Sequence, residues 1–274
     1  MIRIALCQLL VTENKADNLA RARVQLLRAA DAGASMAILP EMFSIAYRAE
    51  LFAPNGDEFP AGDSFAMLSA TARETGLTVI GGSVPERAGK ALYNTCACYG
   101  PDGALMGAYR KAHLFDVDVP GKFRFFESEV LGPGNALPLI LDHAPVKTGI
   151  GICFDIRFPE WGRFIMEAGA DLYALPAAFA RNTGPRHWEL LLRARALDNQ
   201  LFVAGVAPAQ TPHSYGHSLL ATPDGKVQYD CGEAEGVFVV PLDMDLLQEM
   251  RSSIPVKANR RTDLYTLQDN TRQP

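Results

Sequence analysis

Short apolar runs alternate with amphipathic segments along most of the chain, which predicts that strands alternate with helices. Residues 2–9 are mostly apolar and predict a buried strand, and residues 17–32 place apolar side chains at helical spacing. Residues 36–40 and 64–74 repeat this order, and a glycine follows each of the two predicted helices closely. The first part of the chain therefore predicts a strand–helix–strand–helix arrangement.

The rest of the chain continues this alternation and adds hairpins. The turn sequences Gly-Pro-Asp-Gly at 100–103 and Pro-Asp-Gly at 223–225 predict reversals between strands. Thr183, followed by Pro185, predicts a hydroxyl-capped helix start. Because no low-complexity linker interrupts residues 1–274, the pattern favours a single α/β domain with a mixed sheet. The further predicted strands are 77–84, 92–99, 104–110, 146–154, 171–176, 201–207 and 236–241, and the further helices are 160–168 and 184–199.

Composition restricts the functional class. Of the 274 residues, 48% are hydrophobic and 21% are charged, so the chain has the material for a large core and does not resemble a disordered protein. The net charge of −5 does not indicate binding to nucleic acid or to an anionic membrane. Nowhere do 18 apolar residues follow one another, and the N-terminal strand lacks the features of a signal peptide. Five cysteines do not suggest a secreted disulfide framework, so we expect a cytoplasmic protein.

Three predicted strands end next to side chains that can do chemistry. Glu41 follows the strand at 36–40, Lys111 follows the strand at 104–110, and Cys153 lies at the end of an apolar, glycine-spaced strand. Catalytic groups in open α/β sheets tend to lie at such ends. Each residue alone also has an ordinary explanation, as a helix cap, a surface charge or a small core residue. We assign that core role to the cysteines at positions 7, 96 and 98, and Cys231 has no special feature.

Taken together, the sequences around these residues resemble the nitrilase superfamily of carbon–nitrogen hydrolases. The resemblance extends from residue 2 to about residue 266 and includes a Glu–Lys–Cys triad in the family's order. The sequence motifs that carry this resemblance are Leu-Pro-Glu at 39–41, Gly-Gly-Ser at 81–83, Tyr-Asn-Thr at 93–95, Tyr-Arg-Lys at 109–111 and Cys-Phe-Asp-Ile-Arg-Phe-Pro-Glu at 153–160.

This resemblance implies a fold, a mechanism and an assembly. The fold implied is a four-layer α-β-β-α sandwich, commonly dimerised through its helical layers, so a homodimer is expected. Cys153 would be the nucleophile, Glu41 the proton carrier and Lys111 the cation that stabilises the oxyanion, with the backbone N–H of Phe154 as a second donor. Glu127, in the Phe-Glu-Ser sequence, matches a second active-site glutamate that would orient Lys111 or the substrate nitrogen. No cofactor or metal is required.

Two further segments indicate a small-molecule amide substrate. Residues 113–122 and 183–189 resemble the branch that contains the ω-amidases, which hydrolyse 2-oxoglutaramate and 2-oxosuccinamate. Residues 214–218 look equally like the sister branch that cleaves deaminated glutathione. The alternative from a different functional class is a binding protein that has the nitrilase fold but no catalytic activity. The intact Glu–Lys–Cys triad argues against this alternative, because such a protein does not need it.

Arg157 is the predicted partner of the carboxylate end of such a substrate. It lies four residues after Cys153, and a guanidinium group matches a carboxylate in a bidentate way. The alternative is a structural ion pair with Asp155 or Glu160. Tyr47 and Phe179 are further candidates for the substrate pocket.

Overall fold

Strands and helices alternate in the computed structural model, which describes residues 2–121, 123–142 and 146–272. The strands are β1 (Ile2–Gln8), β2 (Met36–Ile38), β3 (Asp57–Glu58), β4 (Thr78–Ile80), β5 (Val84–Ala88), β6 (Ala91–Tyr99), β7 (Leu105–Arg110), β8 (Asp116–Val119), β9 (Phe123–Phe126), β10 (Leu139–Leu141), β11 (Thr148–Ile150), β12 (Leu172–Pro176), β13 (Phe202–Val206), β14 (Leu219–Ala221), β15 (Val227–Asp230) and β16 (Gly236–Leu242). The α-helices are α1 (Lys15–Asp31), α2 (Ala49–Phe52), α3 (Asp63–Thr75), α4 (Pro159–Glu167), α5 (Gly184–Asn199) and α6 (Met244–Ser253). Short 3₁₀ helices form at Glu127–Glu129, Cys153–Arg157 and Asn270–Arg272.

Two mixed sheets form the centre of the protein. The first has the order β16-β1-β2-β4-β6-β5-β3, with β7 paired to β6, and the second has the order β10-β11-β12-β13-β14-β15. A separate ribbon pairs β8 with β9. Within the first sheet, β1 runs parallel to β2 and antiparallel to β16.

Strand β1 shows why the N-terminal run is almost continuously apolar. Ile4 and Leu6 belong to the core between the two sheets, whereas Ala5 and Cys7 belong to the core beneath α1 and α3. Successive side chains of a strand point to opposite faces, so a strand covered on both sides is apolar at nearly every position.

Helices cover the outer face of each sheet. Leu26 of α1 and Leu68 of α3 pack on the first sheet, and Ile165 of α4 and Trp188 of α5 pack on the second. The layers therefore follow the order α-β-β-α, which confirms the fold implied by the family resemblance. The single mixed sheet favoured by the strand pattern was wrong, because that pattern shows that both faces of a strand are buried but not what covers them.

The predicted strand at 77–84 is interrupted in the structure. β4 ends at Ile80 and β5 begins at Val84, with Gly81 and Gly82 between them. Gly82 has a φ of +57°, and a Cβ there would overlap the Pro40 carbonyl oxygen. This close approach requires glycine and places the break directly against the segment that leads to Glu41.

One local prediction is wrong, and a second is confirmed only in part. The Thr183 hydroxyl does not cap α5, because it donates to the Ala180 carbonyl oxygen at 3.4 Å. The backbone of Thr183 is already in the helical region, whereas a capping side chain usually needs extended backbone. The turn at 223–225 joins β14 to β15, but the next strand, β16, leaves that sheet and pairs with β1.

None of the helices in the described residues has the length and apolar character needed to span a bilayer.

Candidate active site

Four side chains predicted from widely separated motifs lie at the ends of strands. Glu41 lies three residues after β2, and Lys111 directly follows β7. Glu127 and Cys153 each begin a 3₁₀ helix, the first after β9 and the second after β11. Strand ends from both sheets and from the small ribbon therefore contribute to one site.

Three of these side chains and an asparagine form a fully buried polar cluster. The Lys111 ammonium donates to Glu41 Oε1 at 2.9 Å and to Glu127 Oε2 at 2.8 Å. Asn94, from β6, donates through Nδ2 to Glu41 Oε1 at 2.8 Å and to Glu127 Oε1 at 3.1 Å. Two carboxylates thus share one ammonium and one amide group.

The two glutamates are bonded differently. Glu127 accepts hydrogen bonds at both oxygens. Oε1 accepts from Asn94, and Oε2 accepts from Lys111 and also from the backbone N–H of Phe115, at 2.7 Å. Glu41 receives both of its donors at Oε1, and its buried Oε2 has no hydrogen-bond partner within the described residues. Both oxygens of Glu127 are therefore occupied by donors, whereas Glu41 keeps an oxygen able to accept a proton.

Burial and neighbouring charges set the protonation of this cluster. Burial raises the pKa of Glu41; Lys111 opposes this effect and Glu127 adds to it. Burial alone would lower the pKa of Lys111, but the attraction of Glu127 and Glu41 outweighs it, and the pKa is raised well above its usual value. Lys111 therefore remains an ammonium ion, while the raised pKa of Glu41 makes it a better proton acceptor than an ordinary glutamate.

Cys153 lies in a strained turn and has a protonated thiol at neutral pH. Its φ is +44°, in the left-handed region that residues other than glycine rarely adopt. Burial and the Glu41 carboxylate raise its pKa well above the usual value, against the opposing effects of Lys111 and of a hydrogen bond with the Ala178 backbone. A thiol in this state needs a base to become a nucleophile, and Glu41 is the neighbouring group able to act as one.

A buried carboxylate that the sequence analysis treated only as a possible partner of Arg157 fixes this turn. Asp155 accepts a hydrogen bond from the Tyr109 hydroxyl at 2.8 Å and from the His113 backbone N–H at 3.2 Å. Its Oδ1 also lies 2.7 Å from His113 Nδ1. Asp155 thereby ties the turn that carries Cys153 to the segment on either side of Lys111.

A cavity of about 650 Å³ opens over the cysteine. Glu41 and Cys153 are part of its wall, whereas Lys111 and Glu127 are fully buried behind it. The Tyr47 hydroxyl, 3.5 Å from the Lys111 ammonium, lies at the boundary between them. The residues predicted for the oxyanion hole and the substrate pocket all line this cavity; they are Tyr47, Phe154, Arg157 and Phe179.

Arg157 has no carboxylate partner within the part of the chain that the structure describes. Its Nη2 lies 3.2 Å from His187 Nδ1, and its guanidinium group lies over the rings of Phe154 and Phe179, at 5.7 and 5.5 Å from the ring centres. Burial lowers its pKa, and the neighbouring Cys153 partly offsets this effect. A half-buried cation without an anion in the wall of a cavity is a suitable site for an anionic ligand group.

Asn94 and Asp155 are the polar residues that sequence reasoning left without a role in the site. Both lie in short sequences that resemble the nitrilase superfamily, at 93–95 and 153–160. The resemblance therefore drew attention to these positions, but it did not show which side chains they contact. Among the described residues, no group of three or more His, Cys, Asp or Glu side chains is placed to bind a metal ion.

Comparison with known proteins agrees with this fold. The family model described as "Carbon-nitrogen hydrolase" matches residues 3–252. Omega-amidase NIT2 of Danio rerio is 44% identical over 269 residues, covering 97% of this chain and 96% of that protein. The chloroplastic omega-amidase of Arabidopsis thaliana is 43% identical and covers 97% of this chain and 74% of that protein. Nit3 of Saccharomyces cerevisiae, described as a member of branch 10 of the nitrilase superfamily, superposes with a TM-score of 0.87 at 34% identity, covering 95% of this chain and 96% of that one.

The α-β-β-α architecture and the polar site at its strand ends are those of a hydrolase of the nitrilase type. The chain belongs to the carbon–nitrogen hydrolase family.

Proposed function

We propose that the protein is an ω-amidase, which hydrolyses the terminal amide of short 2-oxo dicarboxylate monoamides such as 2-oxoglutaramate and 2-oxosuccinamate. The observation that carries this proposal is one cavity whose wall holds Cys153, Glu41 with its unbonded Oε2, and the guanidinium of Arg157, which has no carboxylate partner in the described residues. Relatives named omega-amidase, 42–44% identical over nearly the whole chain, support the same activity.

The first half of the proposed reaction forms a thioester. Glu41 Oε2 takes the proton of the Cys153 thiol as the sulfur attacks the amide carbon, which leaves a tetrahedral oxyanion. Lys111 stabilises that charge through its third N–H group, which lies 3.5 Å from the Tyr47 hydroxyl in this structure, and the backbone N–H of Phe154 supplies a second donor. Glu41 then gives its proton to the leaving nitrogen, the carbon–nitrogen bond breaks, and ammonia departs.

The second half hydrolyses the thioester. Glu41, ionised again, takes a proton from a water molecule as its oxygen attacks the thioester carbon. The second tetrahedral intermediate collapses, the carbon–sulfur bond breaks, and the proton on Glu41 returns to the sulfur. The 2-oxo dicarboxylic acid leaves, and Cys153 is again a thiol.

Arg157 is the proposed site for the carboxylate of the substrate. Desolvating a carboxylate without a partner is costly, and a two-pronged guanidinium–carboxylate contact offsets that cost. The rings of Phe154 and Phe179 hold the guanidinium from the side and supply apolar surface for the short carbon chain.

An amide panel tests the proposed function. The purified protein is expected to release ammonia from 2-oxoglutaramate and 2-oxosuccinamate with a much higher kcat/KM than from a neutral amide of similar size. Deaminated glutathione belongs in the same panel, because faster turnover of that amide would move the protein to the sister branch. Absence of ammonia release from every amide would instead indicate a silent binding protein.

The variant Arg157→Lys tests the role of Arg157 in that panel, with the neutral amide as the control substrate. It keeps the positive charge and removes the planar fork, so it should raise the KM for 2-oxoglutaramate by about tenfold or more and change the KM for the neutral amide little. Equal effects on both amides would make Arg157 a structural residue.

We also propose a homodimer that buries the outer face of α5. Leu190 and Leu197 lie seven residues apart on one face of this helix and are 67% and 51% exposed. Sedimentation should give about twice the chain mass of 29.8 kDa at micromolar concentration, and a species of the chain mass would contradict the proposal.

A cytoplasmic location is proposed from the cysteines. All five are free and buried, as expected for a protein folded in a reducing compartment. Fractionation of the source cells should recover the protein with cytosolic markers, and recovery in an organelle would contradict this proposal.

A further inference from the structure

Asn94 lies at the centre of the buried cluster and contacts each of its charged members. Its side chain is fully buried on β6, and its backbone carbonyl oxygen accepts the backbone N–H of Lys111 at 2.8 Å. Through Nδ2 it donates to Glu41 Oε1 at 2.8 Å and to Glu127 Oε1 at 3.1 Å.

The amide contact determines which oxygen of Glu41 is left open. Rotation about the last side-chain torsion of a glutamate is only weakly restricted, so the single contact with Lys111 does not fix the carboxylate plane. A second donor on the same oxygen does restrict that plane. With Lys111 and Asn94 both on Oε1, Oε2 remains without a partner in the described residues and is left for the Cys153 thiol.

A purely structural role explains Asn94 poorly. Its Oδ1 is buried and has no hydrogen-bond partner in the described part of the chain. An unpaired buried acceptor destabilises the folded state, so an apolar side chain of similar size would suit this strand better. The residue is explained by what its amide N–H groups do for the two carboxylates.

We propose that Asn94 is a positioning residue of the amide hydrolysis: its amide group holds Glu41 Oε1 and Glu127 Oε1 together, so that Glu41 Oε2 faces the thiol of Cys153. This inference rests on the proposed function. Asn94 does not touch the substrate and acts through Glu41.

The pH profile separates positioning from structure. The charged and titratable groups that act on Glu41 are Lys111, Glu127, Cys153 and Tyr47. A substitution at Asn94 replaces none of them, although Glu127 Oε1 loses the same amide donor as Glu41 does. A hydrogen bond to the ionised form lowers the pKa of a carboxyl group, so removing this donor raises the pKa of Glu41. The ascending limb of kcat/KM should therefore move to higher pH by about one unit.

The experiment compares Asn94→Ala with the matched variant Asn199→Ala. Asn199 is also buried, and on α5 its amide donates to the Arg195 carbonyl at 3.0 Å and to the Asp198 carboxylate at 2.6 Å. For Asn94→Ala we expect kcat towards 2-oxoglutaramate to fall by about 10–100-fold with little change in KM, together with the shifted limb. Asn199→Ala should lower only the Tm.

A second variant and a second measurement complete the test. Asn94→Ser keeps one hydroxyl donor and should recover part of the lost kcat. The rate of Cys153 alkylation by iodoacetamide, measured against pH, reports the same ionisation without turnover and should shift with it. A wild-type protein without ammonia release would refute the proposed function, whereas the alkylation profile would still test Asn94. Unshifted profiles, or a failure of both Asn94 variants to fold, would overturn the positioning role.

Discussion

Replacing Cys153 by alanine is expected to lower ammonia release from 2-oxoglutaramate by at least about 10⁴-fold, because no second cysteine lines the cavity in the described part of the chain. The Tm should change little, since the substitution removes one sulfur atom from a side chain that borders a cavity. Mass spectrometry after brief exposure of the wild-type protein to substrate should find an acyl group on Cys153 and none on the variant.

The matched control is Cys231→Ala. Cys231 is as exposed as Cys153, at 9%, and burial raises its pKa as well. The two cysteines therefore differ in their neighbours, because Cys153 shares its cavity with Glu41 and Cys231 does not line that cavity. Cys231→Ala should keep near-native turnover. Loss of activity in this variant, or an acyl group on Cys231, would contradict the assignment of the nucleophile.

Replacing Glu41 by glutamine is expected to lower kcat by at least about 10³-fold, with a smaller change in KM. The amide oxygen of glutamine still accepts from Lys111 and Asn94, but no group then takes the thiol proton or delivers a proton to the leaving nitrogen. Steady-state kinetics with 2-oxoglutaramate measures both constants. A near-native kcat would show that Glu41 is only a structural partner of Lys111.

The same substitution has a definite effect on stability. The pKa of Glu41 is raised, so the folded protein binds this proton more tightly than the unfolded chain does. The free energy of unfolding therefore falls as the pH rises from the ordinary pKa of a glutamate to the raised one. Glu41→Gln removes that loss, and its Tm at neutral pH should equal or exceed the wild-type value. A lower Tm with normal kcat would contradict both roles.

The choice of Glu41 over Lys111 for this test follows from the buried charges. With Glu41 neutral, Lys111 and Glu127 remain as one balanced pair. Removing the Lys111 charge would leave two buried carboxylates without their cation, and such an unpaired site typically destabilises a protein by about 3–5 kcal/mol. A Lys111 variant would therefore combine loss of chemistry with loss of fold.

Local patterns determined much of what the sequence predicted correctly. Gly33 and Gly76 follow α1 and α3 with φ values of +76° and +69°, which glycine adopts without steric cost. The hairpin of β6 and β7 forms around the predicted turn at 100–103. These features depend on a few neighbouring residues, so a single sequence contains the information for them.

For the candidate site, too, the sequence predicted the residues but not their hydrogen bonds. Glu41, Lys111 and Cys153 could be identified from the sequence because each of them lies in a short sequence that resembles the nitrilase superfamily. The sequence did not reveal that Glu127 is saturated with donors while Glu41 is not, since those donors come from β6, from the end of β7 and from Phe115. It also left open whether Arg157 pairs with Asp155, and the structure occupies that carboxylate with Tyr109 and His113 instead.

The sequence by itself determined the alternation of strands and helices, the burial of both faces of β1 and the residue types available for amide hydrolysis. Only the tertiary structure decided that two sheets face each other and that Asn94 bridges two carboxylates. It also decided that, among the described residues, Glu41 Oε2 has no hydrogen-bond partner and the Arg157 guanidinium contacts His187 and no carboxylate. The physical reason is range: strand and helix patterns arise from residues close in sequence, whereas hydrogen bonding and charge in the site depend on groups brought together from distant segments.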